Sequence, residues 1–407
     1  MGAEEKEDAL LHGWYIMFLA NSFTSVPEPS GGTKHFVELA KNWPVEVGQL
    51  SVMTTRIGIE NCEIEGLSGP FRIVPSAWIS RLGIMTKYLV CGVLALLVMP
   101  WRQSQLILYG TSDMLPDVLP AFIARFLKKK TSFWVNCVFH LIPPPRERAG
   151  SRFVNVVSFF AQRVSLKLIR KGSDMVVVDN ALLKEELVEL GFSPDKIFIT
   201  YMGTEEPRPA ADTSNLYDAC YMGRLHPSKG IFDLVEIWRK VCEKRPGSKL
   251  AIVGTGPRAV MERLTGEVRA KDLDNLVEIL GYIPRDELDC VLFSSSVFVL
   301  PSYEEGFGIS LLEAMAHGLP AVAYYLPNYQ EIFGQVLTTV PAGDTDGFAS
   351  RVLELIDDEE MLRKKAHDSS RFASGYTWRK VTLREAGAIA SAIRSRENEA
   401  RYGGRRH

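Results

Sequence analysis

The residues best equipped for chemistry lie in the stretch Ser302–Gly318 (SYEEGFGISLLEAMAHG). It follows an apolar run, Val297–Leu300, and leads into a helical pattern that starts near Ile309 and carries Glu313. Gly306 and Gly308 let main-chain N–H groups come close to a ligand, and the helix start adds a partial positive charge suited to a phosphate. Glu305 stands at the mouth of this loop, and Glu313 sits one to two turns into the helix. A pair of carboxylates accepts hydroxyl protons rather than binding anions, so sugar and ribose hydroxyls are natural partners. The stretch thus combines an anion site with two hydroxyl-seeking acids.

Three other stretches carry candidate chemistry. After the apolar run Ala219–Met222 comes Gly223-Arg224-Leu225-His226-Pro227-Ser228-Lys229-Gly230. Arg224 and Lys229 at a strand end beside a helix start make a cradle for a diphosphate, the alternative being two solvated cations. Gly254-Thr255-Gly256-Pro257-Arg258-Ala259 satisfies the dinucleotide pattern G-x-G-x-x-[GA], which leaves an oxidoreductase as a competitor. Pro257 directly after the second glycine favours a tight turn that packs a helix on its strand. Asp344-Thr345-Asp346 is formally a metal-binding triplet, yet it falls in the turn Pro341–Gly347 and reads as a helix cap. The six cysteines form no C-x-x-C pair and no Cys/His cluster, which points to a reduced cytosolic protein without structural zinc.

These stretches need strands and helices to present them. Strand-like apolar runs alternate with helical patterns, the signature of βα units and parallel sheets. Trp14–Ala20, Gln105–Tyr109, Phe133–Phe139 and Met175–Val178 read as strands of a first doubly wound domain. In it, a loop with Pro27, Pro29, Gly31 and Gly32 precedes a helix from about Thr33 to Asn42. The composition of Tyr201–Leu216 is that of a linker. Ala219–Met222, Lys249–Val253, Leu276–Leu280, Val297–Leu300 and Pro320–Ala323 read as strands of a second such domain. Boundaries of 1–205 and 206–376 follow, with a final helix, 377–407, returning to the first domain. Ligands of such folds bind outside the carboxyl ends of the strands, where these motifs fall.

With the elements in place, Glu305–Glu313 (EGFGISLLE) resembles the E-x7-E motif of family 4 glycosyltransferases, retaining enzymes of the GT-B fold, which pairs two Rossmann-like α/β domains across a cleft. Gly31-Gly32 resembles that family's N-terminal glycine loop, His140 its active-site histidine, and Gly223–Gly230 its G-R-x4-K-G segment. Ile252–Pro257 and Gly281–Pro284 resemble two further strand ends of the family. The resemblance implies transfer of a hexose-type sugar from a nucleotide-sugar donor, with no cofactor and no required metal. By it, Arg224 and Lys229 hold the donor diphosphate, and Glu305 meets the transferred sugar with the main chain of Gly306, Phe307, Gly308 and Ile309. Glu313 binds the ribose, Tyr282 and Ile283 meet the base, Gly31, Gly32 and Gly254 border the donor, and His140 faces the reacting sugar. Pro327-Asn328-Tyr329-Gln330-Glu331 departs from the family, which has a glycine pair before a glutamate there, and Met202-Gly203-Thr204-Glu205 replaces the common N-G-V-D.

The formal net charge of −2 argues against a nucleic-acid partner, but it hides a local asymmetry. Gly66–Ser173 holds fifteen Lys or Arg against three acids (Asp113, Asp117, Glu147), a local charge of +12. Within it, Arg125–Lys130 lies beside Phe133 and Trp134, and Phe153–Lys171 interleaves aromatics with Arg163, Lys167, Arg170 and Lys171. Such stretches suggest a domain that rests on anionic lipid, hence a lipid or lipid-linked acceptor at the cytosolic face of the membrane. The competing reading is helices that pack in the core with solvated charges. Tyr88–Pro100 is too short to span a bilayer, and Met1–Gly13 is too polar for a secretory leader. The expectation is a cytoplasmic, peripheral membrane protein.

Overall fold

The computed structural model describes residues 11, 13–21, 31–44, 49–75, 84–129, 131–146, 152–207 and 216–402. The chain divides into two compact units: one takes the residues up to Tyr201 and those from Trp378 on, the other Met202–Thr377.

The first unit is built on seven strands: β1 (Tyr15–Ala20), β2 (Leu50–Thr54), β3 (Phe71–Ile73), β4 (Leu106–Gly110), β5 (Ser132–Cys137), β6 (Met175–Val178) and β7 (Ile197–Ile199). They pair in parallel in the order β3-β2-β1-β4-β5-β6-β7. Every residue of β1, β4, β5 and β6 is buried. Continuous apolar runs behave this way when helices cover both faces of a parallel sheet. β5 stops at Cys137, short of the expected Phe139, so His140 stands in the loop beyond the strand. Phe133 and Trp134 are core residues of β5 and do not extend the surface of Arg125–Lys130. Arg125 is likewise held in place: its guanidinium grips Asp174 at 2.7 and 2.8 Å.

Asp117 ties two strand ends together. Its Oδ1 accepts the Asn21 main-chain N–H at 2.8 Å and the Asn21 side chain at 2.9 Å, while its Oδ2 accepts from Ser112. Burial pushes this carboxyl up to about 7, only partly opposed by the Ser112 and Asn21 donors. An unfolded aspartate ionises near pH 4, so from about pH 4 to 7 the folded state holds the extra proton. The contribution of Asp117 to stability is therefore greatest at low pH and is lost as pH rises through about 7. Asp117→Asn is expected to remove this dependence, so its urea midpoint should gain on that of the unsubstituted protein between pH 5 and pH 8. A constant difference would show that the carboxyl is not raised.

The second unit carries β8 (Tyr217–Met222), β9 (Leu250–Val253), β10 (Val277–Gly281), β11 (Ser295–Leu300), β12 (Ala321–Tyr324) and β13 (Thr338–Val340). Their order is β10-β9-β8-β11-β12-β13, again all parallel. In each sheet the order reverses beside the first strand, between β1 and β4 and between β8 and β11. A ligand crevice forms at such a point, outside the carboxyl ends of the strands.

The last helix, Trp378–Tyr402, packs in the first unit against helix Gly31–Asn42. Val381, Ala386, Ile389 and Ile393 are buried, as their helical spacing predicts, whereas Leu383 is exposed. The apolar run Tyr88–Pro100 contributes to helix Ile84–Leu97, which buries Cys91 and Ala95 and exposes Leu89, Val93 and Leu97. Among the described residues, no helix is long and apolar enough to cross a membrane.

Candidate functional site

The loops after β8 and β11 are stitched together by main chain. Gly230 takes a left-handed conformation (φ 65°), and a side chain there would place its Cβ 1.7 Å from the Pro301 carbonyl. The Tyr303 N–H donates to the Ser228 carbonyl at 2.9 Å. His226 orders the intervening turn through its Nδ1, which accepts from the Ser228 N–H at 3.2 Å. This close approach brings two candidate residues together. The Lys229 ammonium donates to the Glu304 carbonyl at 2.7 Å and pairs with Glu305 Oε1 at 2.8 Å. Arg224 is exposed at the edge of the same turn, and its carbonyl accepts from the Tyr221 hydroxyl at 3.2 Å.

Glu305–Gly308 leads into helix Ile309–Ala316, with Gly308 at φ 91° as its cap residue. Phe307 is buried against Phe333, anchoring the loop from below. The Asn328 side-chain amide donates to the carbonyls of both Glu305 and Gly306. The Asn328 amide thereby fixes the course of the loop ahead of the helix. Asn328 lies in the segment Pro327–Glu331, where the chain departs from the family pattern. Tyr329, beside it, is fully buried next to Gly308, and burial followed by the charge of Glu305 pushes its phenol well up.

Glu313 is buried and faces Arg285, whose Nη1 lies 3.4 Å from its Oε1. Tyr282 is exposed and Ile283 partly so, both in the turn between β10 and helix Arg285–Phe293. Gly254 and Gly256 serve packing: a Cβ at the first would meet the Gly223 carbonyl at 1.8 Å, and at the second the Leu225 carbonyl at 2.1 Å. The space their missing side chains leave is filled by the backbone of the loop after β8. Asp344 caps helix Thr345–Asp357 by accepting the Gly347 N–H at 2.8 Å, and Asp346 pairs with Lys240. Among the described residues, no group of three or more His, Cys, Asp or Glu could hold a metal ion.

In the first unit, Gly31 and Gly32 form the first turn of helix Gly31–Asn42 rather than a loop ahead of it. Pro27 and Pro29, expected in that loop, lie outside the described residues. His140 is exposed, and its main chain is fixed by Gln162 of helix Arg152–Gly172. The Gln162 amide donates to the His140 carbonyl at 2.8 Å and to Asp113, and its carbonyl accepts the Ile142 N–H at 2.8 Å. Burial raises the Asp113 carboxyl, opposed by the Gln162 donor and then by the nearby His140. Asn328, Arg285, Gln162 and Asp113 all escaped sequence reasoning. The one available signal was Gln162, a polar residue on the apolar face of an amphipathic helix.

Comparisons with known proteins point the same way as this geometry. Residues 204–371 match the family Glycosyl transferases group 1. Glycogen synthase of Mycobacterium tuberculosis is 28% identical over 236 residues, covering 56% of this chain and 56% of that protein. A phosphatidylinositol N-acetylglucosaminyltransferase component from Arabidopsis thaliana is 26% identical over 243 residues, 57% of this chain and 52% of the relative. The chain thus spans about half the length of these curated relatives. Among solved structures, HepE of Anabaena in complex with UDP and glucose superposes with a TM-score of 0.72 at 17% identity, covering 93% of this chain and 99% of HepE. At that identity the likeness establishes the fold.

Proposed function

We propose that this chain, whose residues 204–371 match the glycosyl transferases group 1 family and whose fold is GT-B, is a retaining hexosyltransferase that uses a nucleotide-sugar donor. The observation that carries this reading is the Lys229–Glu305 pair, 2.8 Å apart beside the start of helix Ile309–Ala316. A cation, a helix N-terminus and a carboxylate at one loop can hold a diphosphate and the sugar attached to it. Lys229 and Arg224 neutralise the departing nucleoside diphosphate, Glu305 and the N–H groups of Gly306–Ile309 hold the transferred sugar, and Glu313 takes the ribose. His140, in the loop after β5, is assigned a catalytic role on the family resemblance. In the reaction the bond from the anomeric carbon to the diphosphate oxygen breaks, and the acceptor oxygen bonds to the same face of that carbon. The acceptor proton passes to the departing phosphate. Fixed cations and N–H dipoles supply the charge stabilisation, so no metal is required.

The acceptor in this proposal is a lipid or lipid-linked glycan at the cytosolic face of the membrane. Helices Ile84–Leu97, Leu115–Leu127 and Arg152–Gly172 pack side by side in the first unit. They expose Leu97 (73%), Phe126 (77%) and Phe153 (70%) together with Leu89, Val93 and Phe160. Leu89, Val93 and Leu97 are spaced four residues apart and share one helix stripe. Exposed Arg102, Lys129, Lys167 and Arg170 lie on or beside the same helices. Large apolar side chains with cations around them fit the headgroup boundary of an anionic bilayer. The relative named for phosphatidylinositol supports a lipid acceptor, and the one named for glycogen a soluble one.

Incubating the protein with UDP-, GDP- and ADP-sugars and a membrane lipid extract should release one nucleoside diphosphate and yield a glycolipid of unchanged anomeric configuration by NMR. An inverted product would remove the retaining mechanism. The protein should co-sediment with phosphatidylglycerol vesicles but not with phosphatidylcholine vesicles at low salt, and Leu97→Glu combined with Phe126→Glu should abolish this. Indifference to the anionic vesicles would overturn the membrane assignment and favour a soluble acceptor.

A further inference from the structure

We propose that Arg285 makes the nucleotide site selective for ribose over deoxyribose: together with Glu313 it forms a two-sided clamp on a ribose hydroxyl. This rests on the reading of Glu313 as the ribose ligand. Arg285 opens helix Arg285–Phe293, two residues past Ile283, where the main chain is expected to meet the base. Its guanidinium bridges two carboxylates, with Nε 3.0 Å from Asp289 Oδ1 and Nη1 3.4 Å from Glu313 Oε1. Asp289 is in turn gripped by His317, its Oδ1 2.9 Å from Nε2, and His317 Nδ1 lies 2.8 Å from the Glu313 carbonyl. Asp289 and the His317 side chain are buried, so the ring from Glu313 through Arg285, Asp289 and His317 back to Glu313 ties two helices into one rigid frame.

The frame leaves one group unsatisfied. Arg285 Nη2 is buried and has no hydrogen-bond partner. Buried guanidinium N–H groups are almost always paired, and leaving one unmade is costly. A carboxylate can only accept and a guanidinium can only donate, whereas a hydroxyl does both. A ribose hydroxyl between them donates its proton to Glu313 and accepts from Arg285 Nη2, which serves both sides of the clamp. A deoxyribose leaves the Arg285 donor orphaned and offers the Glu313 carboxylate no proton. A site built in this way rejects an analogue lacking the hydroxyl more strongly than a carboxylate alone.

The test uses the whole protein and titration calorimetry with UDP, GDP and ADP, followed by the 2′,3′-dideoxy counterpart of the tightest binder. The unsubstituted protein should prefer the ribonucleotide by about 10- to 100-fold. Glu313→Ala should erase that preference, and Arg285→Met should reduce it by about tenfold. In turnover assays Arg285→Met should raise KM more than it lowers kcat. Arg285→Lys, which keeps the charge but cannot bridge both carboxylates, should give an intermediate preference, and this variant decides the matter if Arg285→Met does not fold. If Glu313→Ala loses the preference while both Arg285 variants keep it, Arg285 plays no part in ribose recognition. If the unsubstituted protein does not distinguish the two nucleotides, the reading of Glu313 itself falls, and this inference with it.

Discussion

Replacing Lys229 with alanine is expected to lower kcat for sugar transfer by about 100- to 1,000-fold, the usual cost of losing one preorganised charge at a reacting centre. Lys229 is held by the Glu304 carbonyl at 2.7 Å and by Glu305 at 2.8 Å, so its ammonium cannot drift from the strand end when negative charge develops on the leaving diphosphate. Without it, Glu305 and the departing diphosphate face one another as like charges with no cation between them, which destabilises the transition state beyond the loss of one hydrogen bond. Lys229→Arg should recover only part of the activity, because a planar guanidinium cannot reproduce a compact ammonium between a carbonyl and a carboxylate. Glu305→Ala should fall to a similar level, and the double variant should be little worse than either single one, as groups that act as a unit are not additive. The measurement is nucleotide release and product formation at saturating donor. Turnover of Lys229→Ala within threefold of the unsubstituted protein would remove Lys229 from the site.

Glu385→Ala should destabilise the first unit by about 1–3 kcal/mol, as expected when the acceptor of a buried hydrogen bond is removed. Glu385 lies on helix Trp378–Tyr402, and its side chain and that of His35 are wholly inaccessible, with His35 Nε2 3.3 Å from Glu385 Oε2. Its other oxygen accepts from the Tyr109 hydroxyl, and the Cys137 thiol in turn lies 3.2 Å from that hydroxyl. Burial pushes both the Tyr109 phenol and the Cys137 thiol well up, so each stays protonated and able to donate. Truncation at Glu385 leaves the Tyr109 hydroxyl without its acceptor in a dry interior and opens a void beside it and His35. Urea denaturation should show the loss, and hydrogen exchange across Trp378–Tyr402 should rise with it. Both quantities unchanged would mean that the helix is held by its apolar face alone.

The strands of greatest apolar content were legible because burial on both faces removes any need for polar alternation. Trp14–Ala20, Met175–Val178 and Lys249–Val253 were each placed within a residue of β1, β6 and β9. β2, β3, β7 and β13 were not seen, and three of these hold only three residues each. So short a segment becomes a strand through the neighbour it pairs with rather than through its own composition. The aromatic pair Phe133 and Trp134 looked like part of a basic surface because periodicity does not say which strands are central. Sheet order puts β5 between β4 and β6, and both residues are buried there.

The sequence by itself determined what is written in neighbouring residues: the alternation of strand and helix, the glycine turns that open helices, and the string EGFGISLLE with a carboxylate at either end. Those features depend on local backbone sterics and on residue type. Only the tertiary structure decided which distant side chains meet. It set Lys229 against Glu305, Asn328 beneath the carbonyls of Glu305 and Gly306, Gln162 behind His140, and Arg285 between Asp289 and Glu313. Each of these contacts joins separate elements whose meeting is set by the order of strands in a parallel sheet and by the helices that pack on it. No local pattern in the chain encodes that order.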